Sequence, residues 1–246
     1  YQSAKSSISE DLAIIKEVFE EEGIGQLQTL AGAAGGVKFI PTVRKEAALQ
    51  VIKEICRQLE QPERVLAGGY LYMTDMIGQP QIMSEIGRMF ATAFAGREID
   101  VIMTVETKGI PLAYATAMYL NLPVVIVRRD NKVTEGSAVS INYVSGSTKR
   151  IQTMSLARRA LKEQSRVLII DDFMKAGGTV QGMIDLLAEF DATVAGVGVF
   201  VESGEVGADE RLFHDYVSLA KLAHVDLKTK QTVVVPGNYF DDVASG

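Results

Sequence analysis

Cysteine, histidine and long apolar runs are the scarce features of this sequence. One cysteine and two histidines are too few thiolate and imidazole ligands for a structural zinc site. The lone Cys56 also excludes an internal disulfide, which suits a reducing compartment such as the cytoplasm. No stretch approaches the ~20 consecutive apolar residues of a membrane-spanning helix, and no signal peptide opens the chain. Basic residues are outnumbered: 25 Lys and Arg against 31 Asp and Glu give a net charge of −6. That balance excludes a protein that is basic all over, but leaves room for a local basic face on nucleic acid. Internal repeats and low-complexity tails are missing too. Apolar residues, by contrast, make up 47% of the 246, enough for one large α/β domain or two smaller ones with a sizeable core. The chain starts at Tyr1 within a helical pattern and without Met, so a further N-terminal piece of the natural protein is expected.

The spacing of Ile8, Leu12, Ile15 and Phe19 predicts a helix over 8–22. Ser7-Ile-Ser-Glu10 is a candidate capping box for it, a start one turn earlier is the alternative, and Gly23 is its stop. Residues 26–30 and 37–40 read as short strands around the glycine-rich tip Ala31-Gly-Ala-Ala-Gly-Gly36, a β-hairpin that Pro41 closes. A second helix is expected over 44–59, with Ala48, Val51, Ile52, Ile55 and Leu59 on one face. From Val65 the rhythm changes. Apolar runs at 99–105, 124–127, 166–170 and 194–201 alternate with helical stretches at 80–95, 109–120 and 178–190. Continuous apolar strands separated by helices predict an α/β fold with a mostly parallel sheet and flanking helices, whose ligands bind beyond the carboxyl ends of the strands. The expected division is 1–41 as a helix-and-hairpin unit and 42–246 as the α/β domain.

The segment Val167-Leu-Ile-Ile-Asp-Asp-Phe-Met-Lys-Ala-Gly-Gly-Thr179 says most about chemistry. An apolar strand delivers Asp171 and Asp172 to its carboxyl end, and the loop Phe173, Met174, Lys175, Ala176, Gly177, Gly178 then opens a helix at Thr179. Glycines let backbone approach a phosphate, and a helix start presents unpaired N–H groups with partial positive charge. A carboxylate pair beside such a nest makes sense when the carboxylates take vicinal sugar hydroxyls and the nest takes a 5′-phosphate. The pattern resembles the phosphoribosyl-pyrophosphate (PRPP) motif of type I phosphoribosyltransferases. In that family the loop after an earlier strand cradles pyrophosphate, and the resemblance places Thr107, Lys108 and Gly109 there. The polar stretch 128–153 falls where the family closes a lid over PRPP, with Lys132, Lys149 and Arg150 as candidates to meet phosphates; an exposed hairpin with solvated charges is the alternative. The order of motifs is similar to that of the xanthine and adenine enzymes, so an active purine phosphoribosyltransferase is the alternative reading. That chemistry uses Mg²⁺ held largely by PRPP itself and electrostatic help at the departing pyrophosphate.

The front of the chain points elsewhere. A helix that starts with Lys5, Ser6 and Ser7, followed by a glycine-tipped hairpin carrying Lys38, reads as a recognition helix and wing. The bland alternative is an N-cap and a solvated face. Taken with Ala4-Lys-Ser-Ser-Ile-Ser-Glu-Asp-Leu12, Gly32-Ala-Ala-Gly-Gly-Val-Lys38, Asp130-Asn-Lys-Val-Thr-Glu-Gly-Ser137 and Ser140-Ile-Asn-Tyr-Val-Ser-Gly146, the whole chain resembles the purine operon repressors of Gram-positive bacteria. These join a winged-helix domain to a phosphoribosyltransferase-like domain. The resemblance implies a dimeric repressor of purine biosynthesis and salvage genes that binds operator DNA. PRPP would be the inducing effector, guanosine tetraphosphate-type alarmones a second ligand class, and catalysis absent. It also implies that Tyr70 lies where a purine base stacks. The sequence departs from the family at its ends: the two helices that should precede the recognition helix are missing, which leaves Ile8, Leu12 and Ile15 uncovered, and the carboxyl end is short after Phe240. A third reading is a nucleotide sensor that acts through another protein.

Overall fold

The computed structural model describes residues 5–30, 32, 35–129, 136–145 and 150–243, without the side chains of Lys5, Ser6 and Ala208. Lys132 and Lys149 therefore lie outside the described residues. The first helix, α1 (Lys5–Glu22), begins before the expected capping box, so Ser7 stands inside the helix rather than at its cap. It ends as expected at Gly23, in the left-handed region at φ +66°. The N–H of Gly23 donates to the carbonyl of Glu20 (3.2 Å) and that of Ile24 to Phe19 (3.1 Å), the paired bonds that satisfy the last free carbonyls of a helix. Strands β1 (Gly25–Leu30) and β2 (Gly36–Pro41) form the expected antiparallel hairpin. Phe39 on β2 meets Phe19 of α1 edge to face, with ring centroids 5.3 Å apart.

Helix α2 (Lys45–Leu59) buries Ala48, Ile52, Ile55 and Leu59 on its apolar stripe. A small hairpin, β3 (Val65–Leu66) with β4 (Tyr70–Leu71), precedes the short α3 (Thr74–Ile77) and the long α4 (Pro80–Phe94). Then β5 (Val101–Val105), α5 (Gly109–Leu120) and β6 (Val124–Val127) fall where the apolar runs place them. The polar stretch, read as a lid loop or an exposed hairpin, holds a third hairpin, β7 (Ala138–Val144) with β8 (Ile151–Ala157). After it come β9 (Arg166–Met174), α6 (Gly178–Ala188), β10 (Thr193–Ser203), β11 (Val217–Asp226) and β12 (Gln231–Pro236).

One sheet organises the chain, in the order β12-β11-β10-β9-β5-β6, parallel throughout except at the β12 edge. Successive strand residues point to opposite faces, and both faces are covered. Ile102, Leu168, Ile170 and Phe200 pack with Ile52, Phe90 and Leu112 from the helices on one side. Val101, Met103, Val167 and Ile169 pack with Val180, Met183 and Leu186 of α6 and with Tyr143 and Met154 of the β7–β8 hairpin on the other. Burial on both faces is why these strands read as unbroken apolar runs. Among the described residues no helix is long and apolar enough to cross a membrane.

Candidate functional site

From β5 the chain steps outward to β6, and from β9 it steps the other way, to β10 and β11. The crossing helices α5 and α6 then cover opposite faces, which opens a crevice at the carboxyl ends of β5 and β9. A cleft of about 280 Å³ occupies that place. Its lining includes Asp171, Asp172, Phe173, Met174, Lys175, Ala176, Gly177, Gly178 and Thr179, together with Thr107, Lys108 and Tyr70. The fold thus brings two loops and one hairpin residue, far apart in sequence, onto a single cavity. Gly109 stands one layer behind. As the first residue of α5 it rests so closely on the sheet that a Cβ there would lie 2.2 Å from Thr104 Oγ1. Any larger residue would lift α5, and with it the Thr107–Lys108 turn, away from the strand end.

Strand β9 runs further than the apolar run suggests. It pairs with β10 as far as Phe173 opposite Val201 and Met174 opposite Glu202, because β10 is long enough to keep offering backbone partners. The acidic pair therefore sits within a strand, held by the sheet, and the loop proper is only residues 175–177. Gly177 adopts φ +83°, and α6 starts at Gly178, so the first amides of that helix border the cleft. From behind, the N–H of Leu212 donates to the carbonyl of Ala176 (2.8 Å) and fixes the loop.

Asp171 is 3% exposed and accepts the N–H of Asp172 on Oδ1 at 2.9 Å. Burial pushes its carboxyl well above the usual carboxylate range, and the charge of Asp172 adds to the push. Burial raises Asp172 too, against the opposing pull of its hydrogen bond with Asp171 and of the Lys108 cation. Lys175 reaches the carbonyl of Gly68 (3.2 Å) and lies 5.6 Å from the ring centroid of Tyr70, whose ring leans on Phe173 at 5.5 Å. The β3–β4 hairpin is thereby tied to the 175–177 loop and the end of β9 by one cation and one aromatic pair.

Sequence reasoning missed Arg129, which also lines the cleft. Its backbone N–H and guanidinium are held by Glu106, the N–H to Oε1 at 2.7 Å, and its Nη1 reaches Gln152 Oε1 at 3.2 Å. The available signal was position: Arg128 and Arg129 follow β6 directly, at the carboxyl end of the strand beside β5. The candidate DNA residues gather elsewhere. Ser7 is exposed on α1, and Lys38 sits opposite Gln28 in the hairpin, bordering a cleft with Phe94, Arg97 and Leu120.

Residues 1–41 match the family described as the bacterial purine repressor N-terminal region, and residues 73–232 match the phosphoribosyl transferase domain. The purine biosynthesis transcriptional repressor PurR of Bacillus subtilis (strain 168) is 61% identical over 239 residues, 97% of this chain and 83% of that one. This chain belongs to the bacterial purine repressor family. A second relative is the purine biosynthesis transcriptional activator PurR of Lactococcus lactis subsp. lactis (strain IL1403), 46% identical over 242 residues, 98% of this chain and 89% of that one. In fold, the chain is similar to a crystal structure of adenine phosphoribosyltransferase from Thermoanaerobacter pseudethanolicus. The TM-score is 0.60 at 22% identity, covering 68% of this chain and 98% of that one. The family thus carries a phosphoribosyltransferase fold behind a repressor-type front segment.

Proposed function

We propose that this chain is a DNA-binding transcriptional repressor of purine biosynthesis and salvage genes, and that PRPP in the switch-point cleft relieves repression. One observation carries the reading: a chain whose front segment matches bacterial purine repressors has an acidic pair, Asp171 buried and Asp172 half-buried, on one cleft with a glycine-rich helix start in its sheet domain. In that cleft the 175–177 loop and the first amides of α6 take the 5′-phosphate. Asp171 and Asp172 accept the ribose hydroxyls, whose donors favour the ionised carboxylates that burial alone disfavours. Thr107, Lys108 and Arg129 hold the pyrophosphate. Mg²⁺ takes most of its ligands from phosphates and water; two aspartates are too few for a protein cage, so the ion would arrive with PRPP. Tyr70 gives a guanosine tetraphosphate-type alarmone a ring to stack on at the same site. Lys5, Ser6, Ser7 and Lys38 meet operator DNA, and a homodimer matches its repeated half-sites.

The domain would bind PRPP without consuming it. A second sign of control is favoured by the Lactococcus lactis relative, an activator in the same family. The test is binding of the protein to purine-operon control DNA, titrated with PRPP and repeated with Asp171→Ala, Asp172→Ala. Release by PRPP in the wild type, absent in the variant, fits a repressor with this sensor. DNA binding strengthened by PRPP would favour an activator. No DNA binding at low salt, with PRPP consumed at ~1 s⁻¹ or faster beside a purine base, would make the chain an enzyme.

A further inference from the structure

Arg88 is on α4, in the sheet domain, yet its hydrogen bonds go to carbonyls at the base of the front unit. Its Nη2 donates to Thr42 O at 2.9 Å and to Gly23 O at 3.2 Å, and its Nε donates to Thr42 O at 3.2 Å. Gly23 closes α1 and precedes β1, while Thr42 follows β2, so one guanidinium clasps the helix end and both legs of the hairpin. Gly23 O also lies at the carboxyl end of α1, where aligned peptide dipoles leave partial negative charge. One turn along α4, Thr92 Oγ1 accepts the N–H of Val43 at 3.0 Å and donates to Arg88 O at 2.8 Å, which adds the linker to the same seam.

The residue before Arg88 faces the other way. Gly87 is packed against α5 so tightly that a Cβ would lie 2.5 Å from the carbonyl carbon of Ala115. Helix α5 begins at Gly109, immediately after Lys108 at the cleft. A short physical path therefore joins the two ends: cleft loop, α5, the Gly87–Ala115 contact, Arg88, and the carbonyls that fix α1. Strand β2 also touches α4 and α5 directly, but the buried core clusters start only at Val43. Directional hydrogen bonds therefore share with this thin packing the task of orienting the front unit.

We propose that Arg88 is the positioning residue through which occupancy of the cleft reorients α1 and the β1–β2 hairpin. This rests on the function proposed above. A ligand that draws in the Thr107–Lys108 turn shifts α5, which moves α4 at Gly87 and so moves the clasp. The assay is fluorescence anisotropy of purine-operon duplex DNA with and without PRPP, paired with calorimetric PRPP binding in the absence of DNA. It uses the wild type, Arg88→Gln, Arg88→Lys and the near-isosteric Thr92→Val. Allosteric couplings commonly span about 5- to 150-fold, so PRPP should weaken wild-type DNA binding within that range. In Arg88→Gln the shift should fall to about 2-fold or less while PRPP affinity stays within about 2-fold of wild type. Arg88→Lys, which keeps the charge but loses the fork, should restore part of the shift. Thr92→Val decides the matter if Arg88→Gln fails to fold. A full wild-type shift in the variants overturns the proposal, and so does a PRPP affinity that falls along with the shift. A wild type indifferent to PRPP would instead remove the function on which the proposal stands.

Discussion

Between Lys5 and Pro41 the described apolar side chains are mostly in solvent: Ile14 is 60% exposed, Val18 46% and Phe39 44%. Beyond Val43 the same residue types fill two continuous layers around the sheet, with Ile52, Phe90, Ile102, Ile169 and Phe200 fully buried. The two parts are thus held by different physics. Close-packed interiors are stiff and resist small displacements, so the sheet domain keeps Asp171, Lys108 and Arg129 in register. The front unit is attached by contacts of β2 with α4 and α5 and by Arg88, Thr92 and the Arg44 guanidinium on Glu21 O, hydrogen bonds that can be remade at modest cost. On the proposed coupling, a binding event in the rigid part would be expressed as motion of the loosely seated part.

The contrast is sharpest under truncation of the core. Phe200→Ala should cost about 3–5 kcal/mol in urea denaturation, as expected for a buried aromatic; a cost below about 1 kcal/mol would mean that the sheet is not the rigid half. Removing both carboxylates, Asp171→Ala with Asp172→Ala, should lower PRPP affinity by ~100-fold or more, since each charged hydrogen bond is worth about 1.5–3 kcal/mol. Calorimetry would show this, while affinity for DNA alone should hold. A smaller change is expected from Asp171→Asn. The raised pKa means that the folded chain keeps a proton that the unfolded chain gives up. Stability of the ligand-free wild type should therefore fall as pH rises from the ordinary carboxylate range through the elevated one. The amide removes the Asp171 part of that slope, leaving that of Asp172, and should leave the variant about 1 kcal/mol more stable at the alkaline end, a gain typical of relieving strain at a binding site. Parallel melts across pH would check the sign. Least affected should be Ile14→Ser, within about 0.5 kcal/mol of wild type.

Much of the sheet was legible in the sequence because burial on both faces leaves apolar runs with nothing polar between them. Strand β6 and helix α5 fall where the pattern puts them, and the cleft follows from Glu106-Thr107-Lys108 just after β5 and Asp171-Asp172 near the end of β9. A hairpin is the alternative reading at β7–β8, but an exposed one: Ser140, Asn142 and Thr153 on the wet face hide the packing of Tyr143 and Met154 on α6. Strand β9 was cut short at Ile170 because a carboxylate pair resembles a strand end; only the length of β10 shows otherwise. Arg88 gave no distinct signal, and Arg129 only its place just after β6. Arg88 bonds to backbone carbonyls, which no sequence pattern marks, and the bond from Arg129 to Glu106 spans 23 residues.

The most direct measurement is PRPP affinity with and without saturating operator DNA, by calorimetry on the wild-type protein. Linkage requires that DNA weaken PRPP binding by the same factor by which PRPP weakens DNA binding, within about 5- to 150-fold. Equal factors in both directions are the predicted result. A PRPP affinity unchanged by operator DNA would contradict the account.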